Sequence, residues 1–255
     1  MATAIWSIVV VSVAVAVAVA GLILVQRLVP FSVRESHNSH TAAMFGALYV
    51  VYGLMVGFSA YLVAFQFDAA QQTVENEANS VEEIYRLAEQ LPGQERREVQ
   101  DLAESYARTV VEDGWPLMEQ GRSSSRAEEI GDELRRSVTS FEPKTGSEQV
   151  IYAQSLTLIQ DFDEYRSLRL LEVREGIPLI LWIVLIVGGV TTVGFTYLFG
   201  MKTPRLHLLM VAAFTMVLVL VLATIRSLEY PFDGIVQVGP DAFVAFLENI
   251  KTGSS

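Results

Sequence analysis

Apolar residues gather in four long runs, Ile5–Val25, Thr41–Phe67, Ile177–Phe199 and Leu206–Ile225, two on either side of a long polar segment. Each run meets the ~20 residues that a helix needs to cross a ~30 Å hydrocarbon core. Almost no charge interrupts them, and a backbone in lipid satisfies its hydrogen bonds as helix. The pattern therefore predicts an all-α membrane protein, with four transmembrane helices in two pairs flanking a four-helix soluble region. It divides the chain into 1–67 (transmembrane helices 1 and 2), 68–175 (soluble helical domain), 176–228 (transmembrane helices 3 and 4) and 229–255 (C-terminal tail).

Finer periodicities give each run a character. In the second, Gly46, Gly53, Gly57, Ala60 and Ala64 share one helical face, and Gly53-Leu-Met-Val-Gly57 matches the GxxxG pattern that lets membrane helices approach closely. Phe58, Tyr61, Leu62 and Phe65 project bulk near the polar end of the same helix. The apolar period then continues through Val74, Ala78, Val81, Tyr85, Ala88 and Leu91, so this helix leaves the membrane as one rod ending at Pro92-Gly93. A second soluble helix carries Val99, Leu102, Ala103, Tyr106 and Val110 and stops at Gly114-Trp115-Pro116. A third starts at a capping box of Ser125 and Glu128, with Ala127, Ile130, Leu134, Val138 and Phe141 on its apolar face. The fourth, about 147–174, carries Ile151, Leu158, Phe162, Tyr165 and Leu168 and feeds directly into transmembrane helix 3. Gly188, Gly189 and Gly194 suit close packing there, and Phe243, Phe246 and Leu247 mark a short surface helix in the tail.

Charge sharpens the division. Of 29 acidic residues 24 fall in the segment 68–175, with 12 of the 18 basic ones, while the whole chain has a net charge of −11. An acidic domain of this kind excludes nucleic acid as a partner, since that requires a basic face. Four spans place both termini and the soluble domain on one side of a cell membrane. Basic residues flank both ends of the spans, and the uncharged N-terminus followed by Arg27 favours the outside.

The chain has no cysteine, which removes disulfides, thiolate metal sites and cysteine nucleophiles. His37 and His40 lie in a loop without a third ligand, and His207 starts transmembrane helix 4. No phosphate-binding loop, nucleophile elbow or zinc-protease motif is present, so no catalytic, cofactor or metal residues are assigned and an enzyme is disfavoured. Arg166, Arg169 and Arg174 crowd the end of the last soluble helix. They fit either pairing with Asp161, Asp163 and Glu172 or a cationic vestibule at a pore mouth. Arg226 and Glu229 stand one turn apart as a local staple.

Several stretches together resemble a known family. His37-Asn38, Tyr49 to Phe58, Val74-Glu-Asn-Glu-Ala78, Ile84-Tyr-Arg-Leu-Ala88, Val110-Val-Glu-Asp-Gly-Trp-Pro116, Arg166-Ser-Leu-Arg169, Ile177-Pro178 with Trp182, and Glu229-Tyr-Pro-Phe-Asp-Gly234 follow the order found in bestrophin-like bacterial membrane proteins of unknown function. Gly114 stands where that family usually has Glu before Trp-Pro. In the post-helix-4 motif Pro231, Phe232 and Gly234, the Pro231-Phe232 pair also resembles bestrophins, which are similar in layout and are homopentameric ion channels with a hydrophobic neck on their second helix. The resemblance therefore implies a pentamer, small ions as cargo, and a neck at Phe58, Tyr61, Leu62 and Phe65. It implies no cofactor, and the acidic calcium-binding run of animal bestrophins is reduced to Asp233 and Asp241. Two functions stand: a homo-oligomeric ion channel lined by transmembrane helix 2, or a non-channel, membrane-anchored helical sensor or protein-interaction module. The first needs self-association in the lipid bilayer, because four helices with so few polar residues enclose no hydrophilic path.

Overall fold

The structure is a computed structural model that describes residues 2–173, 176–233 and 236–253. Among these residues every regular element is helical. Four helices are long and apolar enough to cross a membrane, over Ile8–Leu28, Asn38–Gln90, Leu179–Thr196 and Pro204–Leu228. The chain divides into two compact units, Met1–Phe65 with Gly176–Glu229, and Gln66–Glu175 with Tyr230–Ser255.

The first unit contains α1 (Ala2–Leu28), α2 (Phe31–Ser36), the first part of α3 (Asn38–Leu87), α8 (Leu179–Thr196) and α9 (Pro204–Leu228). α1 is apolar all round, as a membrane-embedded helix is. Its Ala18 and Leu22 pack with Val193 and Val211. The loop expected after α1 holds α2, with Pro30 at its N-cap. Tyr52 of α3 lies against Gly188 and Gly189, where an added Cβ would come 2.5 Å from the ring and 2.9 Å from the hydroxyl oxygen respectively, and its hydroxyl donates to the Leu185 carbonyl at 2.9 Å. Those glycines serve the close packing expected of them, whereas Gly194 has open space around it.

The second unit holds the rest of α3, α4 (Gly93–Thr109), α5 (Trp115–Met118), α6 (Ser125–Thr139), α7 (Gly146–Glu172) and α10 (Asp241–Gly253). Its core joins Val74, Ala78 and Val81 of α3, Val99 and Ala103 of α4, Leu134 and Val138 of α6, and Phe162 of α7. Helix α3 runs unbroken from Asn38 to Leu87, with one tight turn (Ala88–Gln90) before Pro92.

Four local expectations change. Gly114-Trp115-Pro116 does not end the helix: α4 widens into a π-helical turn, Val110–Gly114, and continues as α5. Pro116 has no N–H to offer and its ring crowds the carbonyl four residues back, and the wider turn makes room for it. The N-cap of α6 is Ser124, which accepts from the Ala127 N–H, and the full capping box lies instead at Thr145 and Glu148 of α7. Helices α7 and α8 are separate, because residues 176–178 are not helical. Pro178 disfavours helical geometry at Ile177, whose N–H bonds a side chain instead. Finally, α10 is no surface helix: Phe243 and Phe246 are buried in the core of the second unit.

Candidate pore-lining face and its supports

A membrane helix presents apolar residues all round, so burial separates the faces of α3. Tyr52, Ser59 and Val63 are buried within the unit. On the opposite face Val50, Leu54, Phe58, Tyr61 and Phe65 are exposed, Phe58 at 54%, Tyr61 at 67% and Phe65 at 61%. The Tyr61 and Phe65 rings stack one turn apart, with centroids 6.4 Å apart. Leu62 is turned differently and packs half-buried beside Val63 and Ile177. Gly46, Gly53 and Gly57 border the exposed face, and among the described residues nothing lies within 4 Å of where their Cβ atoms would stand. Ala60 is half-buried against Val63 and Ile177, and Ala64 is also half-buried.

Two polar ties hold this unit together. At one end Glu229, 4% exposed, accepts from the Ile177 N–H at 3.2 Å and from Trp182 Nε1 at 3.0 Å through one oxygen. Its other oxygen faces Arg226 at 3.7 Å. The expected staple is thus present, and it also anchors the start of α8. Trp182 in turn belongs to the cluster that backs Leu62 and Val63. At the other end the Asn38 amide donates to the Gly200 carbonyl and accepts from its N–H, at 2.9 and 2.8 Å. Arg34, buried, donates to the carbonyls of Tyr197 and Phe199 that the end of α8 leaves open. His207 is not at the surface but buried, with Nε2 at 3.0 Å from the Thr196 carbonyl.

In the second unit the stripe Ser155, Phe162, Arg169 advances by sevens, so α7 buries Arg169 while Leu168 stays 39% exposed. Arg169 makes a two-pronged ion pair with Glu77, donating from Nε to one oxygen and from Nη2 to the other. Tyr106 donates its hydroxyl to Glu77, and Arg169 Nη1 lies 2.8 Å from the Met118 sulfur. Glu77 is fully buried. Burial pushes the Tyr106 phenol well above its ordinary value, and the Glu77 carboxylate adds to the rise. Burial works against the charged Arg169, but Glu77 and Tyr106 hold its pKa above the ordinary arginine value.

The vestibule candidates therefore do not stand together as free cations. Arg169 is inside; Arg166, 11% exposed in its side chain, pairs with Asp132 at 3.1 Å; and Arg174 lies outside the described residues. Of the expected partners Asp163 meets Arg135, and Arg166 takes Asp132 instead. Burial raises the Asp163 carboxyl, against the pull of Arg135 and Arg166. Pro231 and Phe232 are buried, Phe232 edge-on to Trp115 with centroids 6.0 Å apart, and Trp115 Nε1 donates to the Val238 carbonyl. Gly234 lies outside the described residues. Sequence reasoning missed Glu77, Asn38 and Arg34 as tie points, and it gave Glu229 its Arg226 partner but not Ile177 and Trp182. The signal available was that Glu77, Asn38 and Glu229 lie inside the stretches that carry the resemblance. Among the described residues no three His, Asp or Glu side chains converge as a metal site would require.

Comparison with known proteins agrees with this layout. The sequence matches the Bestrophin-like domain over residues 12–243. A crystal structure of a bacterial bestrophin homolog from Klebsiella pneumoniae carrying a point mutation superposes with a TM-score of 0.73 at 10% identity, covering 96% of this chain and 99% of that one. A structure of the Klebsiella pneumoniae homolog solved by Zn-SAD phasing gives 0.67 at 12% identity, with coverage of 93% and 94%. A crystal structure described as a membrane protein variant gives 0.70 at 10% identity, covering 96% and 97%. No curated protein matches the sequence. This all-α membrane protein belongs to the bestrophin-like family.

Proposed function

We propose that the chain assembles as a homo-oligomeric ion channel, with the membrane-spanning part of α3 lining a central pore. The observation that carries the reading is the bulky row Phe58, Tyr61 and Phe65, exposed on a helix whose other face is anchored by Tyr52 and Val63. Such a row, repeated around an axis, makes a hydrophobic constriction that gates by dewetting. Gly46, Gly53 and Gly57 leave the flank of α3 open to a neighbouring copy. Membership of the bestrophin-like family and the resemblance to bestrophins favour a pentamer. Arg166 and Arg169 pair with Asp132 and Glu77, and this reading gives them a structural role and not that of a vestibule.

The test pairs oligomeric state in detergent with ion flux in proteoliposomes. A defined oligomer that conducts supports the channel, and Phe65→Ala then raises flux by widening the neck. A monomer without flux overturns it and leaves the membrane-anchored interaction module.

A further inference from the structure

The short-turn end of the first unit contains a half-open cavity of about 290 Å³, between the start of α3, the α8–α9 turn and the first turns of α9. Its wall is made by Phe45, Phe199, Met201, Met210, Val211 and Phe214, with Phe45 edge-on to Phe199 at 5.7 Å. Three polar side chains reach it, and of their buried polar atoms His207 Nδ1 alone has no hydrogen-bond partner among the described residues. The Asn38 amide is closed on Gly200, Thr196 Oγ1 donates to the Val193 carbonyl, and His207 Nε2 is spent on the Thr196 carbonyl. Water needs two to four polar partners to occupy a cavity, and this wall offers almost none. The space therefore suits hydrocarbon.

Charge stands next to the wall along the chain. Met201 is followed directly by Lys202, whose side chain is 84% exposed and only loosely paired with Glu35 at 3.9 Å. Arg205, also exposed, follows in the first turn of α9. Glu35 is the one acid in the two short loops, against Arg27, Arg34, Lys202 and Arg205. An apolar cavity inside a membrane-spanning unit, with exposed cations next to its lining residues Met201 and His207 along the chain, matches one class of molecule in both its parts. We infer that this cavity holds an acyl chain of an anionic phospholipid, whose phosphate rests at Lys202 and Arg205. The site is separate from the exposed face of α3 and does not depend on ion conduction.

Native mass spectrometry of the full-length protein, released from nanodiscs of equimolar phosphatidylcholine and phosphatidylglycerol, tests this. The wild type is expected to retain phospholipid enriched in phosphatidylglycerol. Met210→Trp, at a position 54% exposed on the cavity wall, is expected to lower the retained lipid by more than half. Lys202→Gln with Arg205→Gln changes only surface residues and is expected to abolish the enrichment. Retention without headgroup preference, an enrichment that survives the double charge substitution, or retention untouched by Met210→Trp would overturn the assignment. So would a protein that carries no lipid but loses its oligomeric state in Met210→Trp, because the cavity would then seat a second copy.

Discussion

Removing the Glu77 carboxylate strands the buried Arg169 guanidinium without its counter-charge, beside Tyr106, Met118 and the Trp115 ring. Breaking a buried pair from one side costs about 3–5 kcal/mol, whereas replacing both partners by apolar side chains is often nearly neutral. Glu77→Ala is therefore expected to lower the denaturation midpoint sharply, and Glu77→Leu with Arg169→Met to restore much of it. Tyr106 adds a pH dependence of known sign. Its folded pKa is raised, so the fold favours the protonated phenol. That contribution is fully present below the unfolded value near ~10 and is lost as pH rises above it. Denaturation midpoints measured near neutral pH and above about pH 10 should fall more steeply in the wild type than in Tyr106→Phe.

At the scale of elements, period and length made most of the fold readable. Four apolar runs became four long helices, and the stripe from Val74 to Ala88 carried α3 on as one rod. What stayed hidden depended on partners far away in sequence. Leu168 looked like core and Arg169 like surface, but Glu77, ninety-two residues away, makes Arg169 the buried one. A proline in Trp115-Pro116 reads as a stop, and only the packing around Gly114 and Trp115 turns it into a π-helical widening. The bulky face of α3 was legible as a set of residues, yet Leu62 is turned from the exposed row into the cluster behind it. Close approach at the α8–α9 turn was not legible at all. A Cβ on Gly200 would stand 2.4 Å from the Glu35 backbone nitrogen, which side-chain motion cannot relieve. Gly200→Ala should therefore separate this turn from α2 and destabilise the first unit by about 1–3 kcal/mol, seen as a lower thermal midpoint in detergent.

For the whole molecule, the proposed channel has one face of α3 meeting water and ions in an assembly, while other exposed faces of the first unit meet lipid. The chain contains no cysteine, so single thiols can be placed one at a time without background. The most direct measurement is current across a planar bilayer before and after adding a charged, membrane-impermeant thiol reagent. Phe58→Cys, Tyr61→Cys and Phe65→Cys are to be compared with Ile183→Cys, exposed on α8. If α3 lines the pore, the reagent alters current at the three α3 positions and leaves Ile183→Cys unchanged. Conducting protein that responds at none of the three, or responds equally at Ile183→Cys, would contradict it.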